Sequence, residues 1–216
     1  MSKKRKNAEV LATLAILENL YPEAHCALNY RNPWELLVAT ILSAQCTDVR
    51  VNEVTRTLFQ RFPEMKDFAA ADLCDLEEAV RSTGFFRNKA KGIQGSAQVL
   101  LEKHGGVVPR TLDELVALPG VGRKTANVVL GNAFNIPGMV VDTHVGRVSR
   151  RLGWTTATTP EAVERELCEL LPPEKWTKTS HILIFHGRRF CKAPTALCSS
   201  CPLLDRCPRH GVTRSR

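Results

Sequence analysis

No run in the sequence approaches the roughly 20 consecutive apolar residues that a bilayer-crossing helix needs, which excludes an integral helical membrane protein. The amino terminus, Lys3-Lys4-Arg5-Lys6 followed by Val10 to Leu17, has the charge order of a signal peptide. Glu9 and Glu18 interrupt that pattern and no small-residue cleavage site follows, so it reads as a basic tail leading into an amphipathic helix over 8–20 of a cytoplasmic protein. Strands are also missing. Val140-Val141 is too short to be one, and no other stretch alternates convincingly. There is no internal repeat and no low-complexity segment. Negative charge is in deficit: 22 Asp and Glu face 30 Lys and Arg, a formal net charge of +8. That balance favours a polyanionic partner, either nucleic acid or an anionic membrane surface. With 216 residues and 44% hydrophobic composition, the chain can bury one large or two small cores.

The stretch that organises the rest is Leu118-Pro119-Gly120-Val121-Gly122-Arg123-Lys124-Thr125-Ala126. Upstream, Thr111-Leu112-Asp113-Glu114 has the form of a capping box that opens a short helix running to Leu118. Downstream, Ala126, Val129, Leu130 and Ala133 recur at helical spacing. The pattern predicts helix, tight glycine turn, helix. Gly120 and Gly122 permit positive φ and close backbone approach to a ligand. The N–H groups that open the second helix lie at its positive end, a cradle for phosphate to which Arg123 and Thr125 are adjacent. Lys124 puts an amine on the same surface. Eighteen residues after Lys124, Val140-Val141-Asp142-Thr143-His144 sets a carboxylate at the start of another helix. The turn is expected to hold a DNA backbone while Lys124 and Asp142 act on a sugar beside it.

The remaining pattern is helical throughout, giving an all-α fold of about ten helices. Asn32-Pro33-Trp34-Glu35 supplies a cap, a proline at the first helical position and an acidic residue in the first turn. The helix it opens is apolar on nearly every side and is expected to be buried and central. Ser43-Ala44-Gln45-Cys46 ends it, and Thr47-Asp48 caps a helix with apolar positions 51, 54, 58 and 62. Further helices are expected over 72–82, 89–103, 142–152, 159–171 and 176–189. Phe85-Phe86-Arg87-Asn88-Lys89 reads as an aromatic and basic loop.

Eight cysteines are present, four of them in the last 26 residues as Cys191-x6-Cys198-x2-Cys201-x5-Cys207. Cys26, Cys46, Cys74 and Cys168 are scattered and read as small core residues. A chain without a secretory leader occupies a reducing compartment, which argues against disulfides in the terminal group. The spacing signals a metal site. It does not separate tetrahedral zinc from a [4Fe–4S] cluster. Arg188, Arg189, Lys192, Arg206 and Arg209 would surround such a site with charge suited to phosphates.

Taken together, LPGVGRKTA, VDTH and the terminal cysteines resemble the endonuclease III family of base-excision DNA glycosylases with associated lyase activity. Leu42-Ser43-Ala44-Gln45-x-Thr47-Asp48-Val49 and Gly84-x3-Asn88-Lys89-Ala90 are similar to that family as well. The resemblance implies a helix-hairpin-helix glycosylase fold in two all-α domains. One is a six-helix domain over 26–136 with the hairpin at about 111–132. The other joins 1–25 to 137–216 and is closed by a [4Fe–4S] cluster on Cys191, Cys198, Cys201 and Cys207. A DNA-binding groove would lie between them, and the protein would act as a monomer on double-stranded DNA carrying a damaged pyrimidine or an abasic site. Residue by residue, Lys124 matches the family's nucleophile and Asp142 its essential aspartate. Gln45 matches the residue that fills the gap left by an extruded base. Phe85 stands where the family has an apolar wedge, often leucine. His144 is a phosphate or structural contact, not a catalyst.

The chemistry follows from what these groups can do. A base inside a duplex is out of reach, so the nucleotide must be extruded at a cost of a few kcal/mol. Lys124 must lose its proton to attack; burial, the helix end and Arg123 favour that, and Asp142 opposes it. Three other readings remain. A pyrimidine-dimer glycosylase would share these motifs. A non-catalytic helix-hairpin-helix module would bind any duplex without forming an adduct. A zinc-stabilised basic scaffold would be colourless, whereas a cluster would colour the protein brown. An adenine-mismatch glycosylase fits poorly, because that enzyme lacks a lysine at the position of Lys124.

Overall fold

A computed structural model of the chain describes the backbone from residue 3 to 216 and side chains from residue 7. Among the described residues there are eleven α-helices and two 3-10 turns, with a single isolated bridge, Ala196 to Ser215, in place of any sheet. In order they are α1 (Lys3–Leu20), α2 (Pro33–Leu42), α3 (Asp48–Arg61), α4 (Met65–Ala70), α5 (Leu73–Val80), α6 (Phe86–His104), α7 (Leu112–Val116), α8 (Arg123–Ala133), α9 (Thr143–Arg151), α10 (Pro160–Leu170) and α11 (Trp176–Arg189). The 3-10 turns are Arg81–Thr83 and Pro173–Lys175. The chain forms two compact units: Ala27–Ile136, and the segment up to Cys26 together with Pro137–Arg216.

In the Ala27–Ile136 unit, α2 is the central post. Asn32 caps it by accepting the Glu35 N–H at 2.9 Å, and every residue from Trp34 to Leu42 is buried. Each large apolar side chain removed from water contributes about 1.5–3 kcal/mol, and α2 buries Trp34, Leu36, Leu37, Val38, Ile41 and Leu42. Phe68 of α4 lies in an aromatic cluster with Trp34, Phe59 and Phe62, at ring-centroid separations of 5.4, 6.2 and 5.3 Å.

The helical hairpin is seated on α6. Gly120 adopts φ 75°, and a Cβ added there would stand 3.0 Å from the Gly92 Cα; one added at Gly92 would stand 3.2 Å from the Gly120 Cα. Gly95 leaves the same kind of space for the Pro119 ring, and Ser96 donates from Oγ to the Pro119 carbonyl at 2.7 Å. The turn is therefore fixed by backbone packed on backbone, locked by one buried hydroxyl. Thr111 caps α7 by accepting the Glu114 N–H, and its hydroxyl donates to the Glu114 carboxylate; the Glu114 side chain therefore bonds the capping hydroxyl rather than the Thr111 N–H that the predicted capping box would use.

The other unit packs α1, α9, α10 and α11 around Leu14, Leu17, Tyr21, Val145, Val148, Leu167, Ile182 and Leu183. Helices α9 and α11 approach closely at Gly187, where an added Cβ would meet the His144 ring at 2.9 Å.

Several local expectations need correction. Helix α1 begins at Lys3, inside the stretch read as a basic tail; the side chains of residues 3–6 lie outside the described ones. Helix α4 was not expected, because its cap is Glu64, paired with Asp67 through a 2.8 Å bond to the Glu64 N–H, rather than one of the usual capping residues. The predicted loop 85–89 is helical from Phe86 onward, and Lys89 is buried rather than displayed.

Gly92→Ala should lower the urea midpoint by the equivalent of about 1–3 kcal/mol, the usual cost of overpacking. Gly105→Ala, in a helix C-cap with no atom within 4 Å, would meet only backbone strain and serves as the comparison.

Candidate nucleic-acid interface and cysteine loop

Within the Ala27–Ile136 unit, the hairpin presents the first turn of α8. Gly122, the N-cap, has no side chain to offer, and the first intrahelical bond runs from Ala126 N–H to the Gly122 carbonyl at 3.0 Å. Gly122, Arg123 and Lys124 are exposed and Thr125 is half-buried. The Lys124 side chain thus stands on the surface.

Two further predicted residues share that unit. Gln45 and Phe85 are exposed, and both hold the left-handed conformation, at φ 52° and 49°. A bulky residue there is a true backbone outlier. Phe85 is 63% exposed, so it is no core aromatic. Its neighbour Phe86 is covered by the Arg81 and Arg87 guanidiniums, 5.9 and 5.6 Å from the ring centroid. Close by, Lys89 is 5% exposed and donates from Nζ to the carbonyls of Leu42 and Thr83 at 2.9 and 2.7 Å. Burial pushes its ammonium below the ordinary lysine range, and the Cys46 sulfur opposes that shift.

In the other unit, Asp142 is the N-cap of α9, with Oδ1 accepting the Val145 N–H at 2.8 Å. His144 is turned inward against Gly187. Arg147 donates from Nη2 to His144 Nδ1 at 3.0 Å, which assigns the ring proton to Nε2. Burial pushes the His144 imidazolium down; Asp142 raises it, and Arg147 and Arg188 lower it further.

The same arginine reaches the cysteine loop. Arg147 donates from Nε to the Cys191 carbonyl at 2.9 Å and from Nη2 to the Gly187 carbonyl at 3.1 Å. Arg151 donates from Nη1 to the Lys192 carbonyl at 2.8 Å and stands 3.4 Å from Cys191 Sγ. Sequence alone assigns no task to these arginines. The available signal was their spacing at i and i+4 on the helix that Asp142 caps.

Cys191, Cys198, Cys201 and Cys207 line one hollow with Val148, Leu152, His186 and Leu203. Among the described residues, no three His, Cys, Asp or Glu side chains converge closely enough to hold a single metal ion. His186 is buried, with Nε2 3.6 Å from Cys201 Sγ and Nδ1 3.1 Å from the Tyr21 hydroxyl. Burial pushes His186 down to about 4 and Tyr21 up to about 12, so both are neutral at physiological pH. Burial also raises the Cys201 and Cys207 thiols. Arg188, Arg189, Lys192, Arg206 and Arg209 are all exposed around the loop, as expected.

Residues 38–173 match the HhH-GPD superfamily of base excision DNA repair proteins. Endonuclease III of Synechocystis is 53% identical over 96% of this chain and 94% of its own length, and that of Bacillus subtilis 50% over 92% and 90%. The chain belongs to the endonuclease III family. A solved non-covalent complex of an endonuclease III with DNA superposes with a TM-score of 0.90 at 47% identity, covering 97% of this chain and 96% of that one. A thermostable thymine-DNA glycosylase shares the fold at a TM-score of 0.79 and 22% identity, covering 95% of this chain and 97% of that one. Membership fixes the all-helical helix-hairpin-helix fold independently of the motifs. Among the described residues, no helix is long and apolar enough to cross a membrane.

In this member of the family the cap and the charge of Asp142 are separable. Asp142→Asn retains an oxygen for the Val145 N–H and should leave stability within about 0.5 kcal/mol of wild type, whereas Asp142→Ala should lose about 1 kcal/mol. Denaturant titration of both variants checks this.

Proposed function

We propose that Lys124 and Asp142 carry out the reaction of a bifunctional base-excision enzyme that removes oxidised pyrimidines from duplex DNA and then cleaves the strand 3′ to the abasic site. As a member of the endonuclease III family the chain is a DNA glycosylase with lyase activity at abasic sites. The observation that carries the residue assignment is Lys124, an exposed amine in the first turn of a helix that no side chain caps. The open N–H end of α8 and exposed Arg123 suit the phosphates flanking a sugar, in keeping with the +8 charge.

The steps follow. Deprotonated Lys124 Nζ attacks the anomeric carbon, and the bond from sugar to base breaks with its electron pair leaving on the base. The nitrogen lone pair then expels the ring oxygen O4′ from C1′, the amine proton passing to O4′, so that the sugar opens to a Schiff base whose positive nitrogen acidifies the adjacent C2′ proton. Loss of that proton breaks the C3′–O bond by β-elimination and releases the 3′ strand. Water then hydrolyses the Schiff base and frees Lys124. Asp142 commits Oδ1 to the cap, so Oδ2 remains to accept a proton and to stabilise positive charge on the sugar. Gln45 and Phe85 would occupy the stack during extrusion, one as plug and the other as apolar wedge.

The same reading gives Cys191, Cys198, Cys201 and Cys207 a [4Fe–4S] cluster. Four cysteines lining a single hollow support it. Raised thiols exchange their protons for metal on binding. When bound, the cluster would hold the terminal loop against α9 and present its exposed arginines to DNA. A cytoplasmic site of action accompanies this reading.

Borohydride trapping on a duplex with one oxidised pyrimidine should give a covalent protein–DNA band in wild type and none in Lys124→Ala. A band in both would mean that another amine is the nucleophile. No band in either, with tight duplex binding retained, would favour another lesion such as a pyrimidine dimer, or a non-catalytic module. Asp142→Asn, though folded, should lose at least about a hundredfold in rate, the scale of a general-base contribution. Purified protein should be brown and contain iron and acid-labile sulfide in equal amounts, and Cys201→Ser should lose both; a colourless zinc protein would refute the cluster.

A further inference from the structure

We infer that Lys89 is a positioning residue that holds the Gln45 and Phe85 turns at a fixed spacing, so that both side chains enter the DNA stack together. The inference rests on the reading of those two residues as plug and wedge. Lys89 lies in the first turn of α6, out of contact with solvent. Its Nζ joins two separate pieces of chain: the Leu42 carbonyl, at the end of α2, and the Thr83 carbonyl, at the end of the 3-10 turn. Three residues after Leu42 and two after Thr83 come Gln45 and Phe85, two of the four left-handed non-glycine residues among the described ones.

Among the described residues, the hydrogen bonds recorded for this buried ammonium run to carbonyls and none to a carboxylate. Its charge rests on carbonyl oxygens, one of them at the negative end of α2. Burying an ammonium is costly, and a site needing only packing would take an apolar side chain of the same length. What an ammonium adds is the ability to tie carbonyls from both turns to one atom. The two outliers are strained in the free protein, and such conformations persist only where the surroundings over-determine them. Lys89 supplies part of that determination from beneath. Each turn also has its own local bonds, from Cys46 N–H to the Ser43 carbonyl at 3.1 Å and from Lys89 N–H to the Phe85 carbonyl at 3.2 Å. Those bonds shape each turn but do not join one to the other.

The test separates extrusion from chemistry. Lys89→Met keeps the stem and removes the donors; Lys89→Gln keeps an amide donor and guards against a folding defect in the first variant. Each is assayed for excision of an oxidised pyrimidine from a duplex, and for strand cleavage at an abasic site in single-stranded DNA, where no stack must be opened. Fluorescence of 2-aminopurine placed beside the lesion follows insertion directly. Lys89→Met should lose about tenfold or more in duplex kcat/KM and blunt the fluorescence change, while single-strand cleavage stays within about twofold. In a Gln45→Ala, Phe85→Ala background the same substitution should add nothing further. Equal loss on both substrates, an unchanged duplex rate, a fully additive effect in the double background, or failure of both variants to fold would each overturn the inference. If wild type itself neither excises nor traps, the function assigned above has failed instead.

Discussion

The contact on which the Ala27–Ile136 unit depends is between two α-carbons. A Cβ on Gly92 or Gly120 would stand only 3.2 or 3.0 Å from the other's Cα, so the hairpin turn lies close against α6. Everything the hairpin presents inherits its position from that contact. The Ser96 hydroxyl fixes the turn along the helix, and Gly95 admits the Pro119 ring. Because interiors are packed like crystals, a displacement of the turn by one methyl group is felt at once. Lys124 and the open N–H end of α8 therefore sit on a rigid base, even though both are exposed. Helix α6 also carries Lys89, one turn before Gly92, so one stretch of helix lies under the hairpin and beside the turns at Gln45 and Phe85.

In the second unit the corresponding element is α9. Its first residue follows Asp142, its middle carries Arg147, and its last is Arg151. The carboxylate assigned to the sugar and the anchors of the cysteine loop are thus mounted on nine residues of one helix. Gly187 lets α11 approach that helix closely, and the His144 ring fills the contact. Removing the loop's organisation would be transmitted to Asp142 through two arginines and one rigid turn, without a direct bond between cysteine and aspartate.

Most of the fold was legible because its signals are local. Thr111, Thr47, Asn32, Thr159 and Asp142 all cap the helices their sequence positions suggest. The glycine turn and the terminal cysteines are short motifs with a mechanism attached. What escaped was tertiary. Helix α4 is six residues long with a single buried side chain, too little for periodicity to register. Lys89 resembles any surface lysine beside Arg87, and only the carbonyls brought to it from 47 and 6 residues away reveal its burial. Gly92, Gly95 and Ser96 look like poor helix formers; their purpose appears only once the hairpin lies upon them.

The left-handed turn at Phe85 separates two choices available to a lineage at this position. The backbone penalty there arises at Cβ and is nearly the same for phenylalanine and leucine. Their difference lies further out, in solvent, where nothing in the scaffold responds to it. The shape offered to the stack can therefore drift among unbranched-Cβ apolar residues at no cost to folding. Valine or isoleucine would bring a second branch into the crowded backbone and would be selected against by the scaffold itself, whatever their merit as wedges.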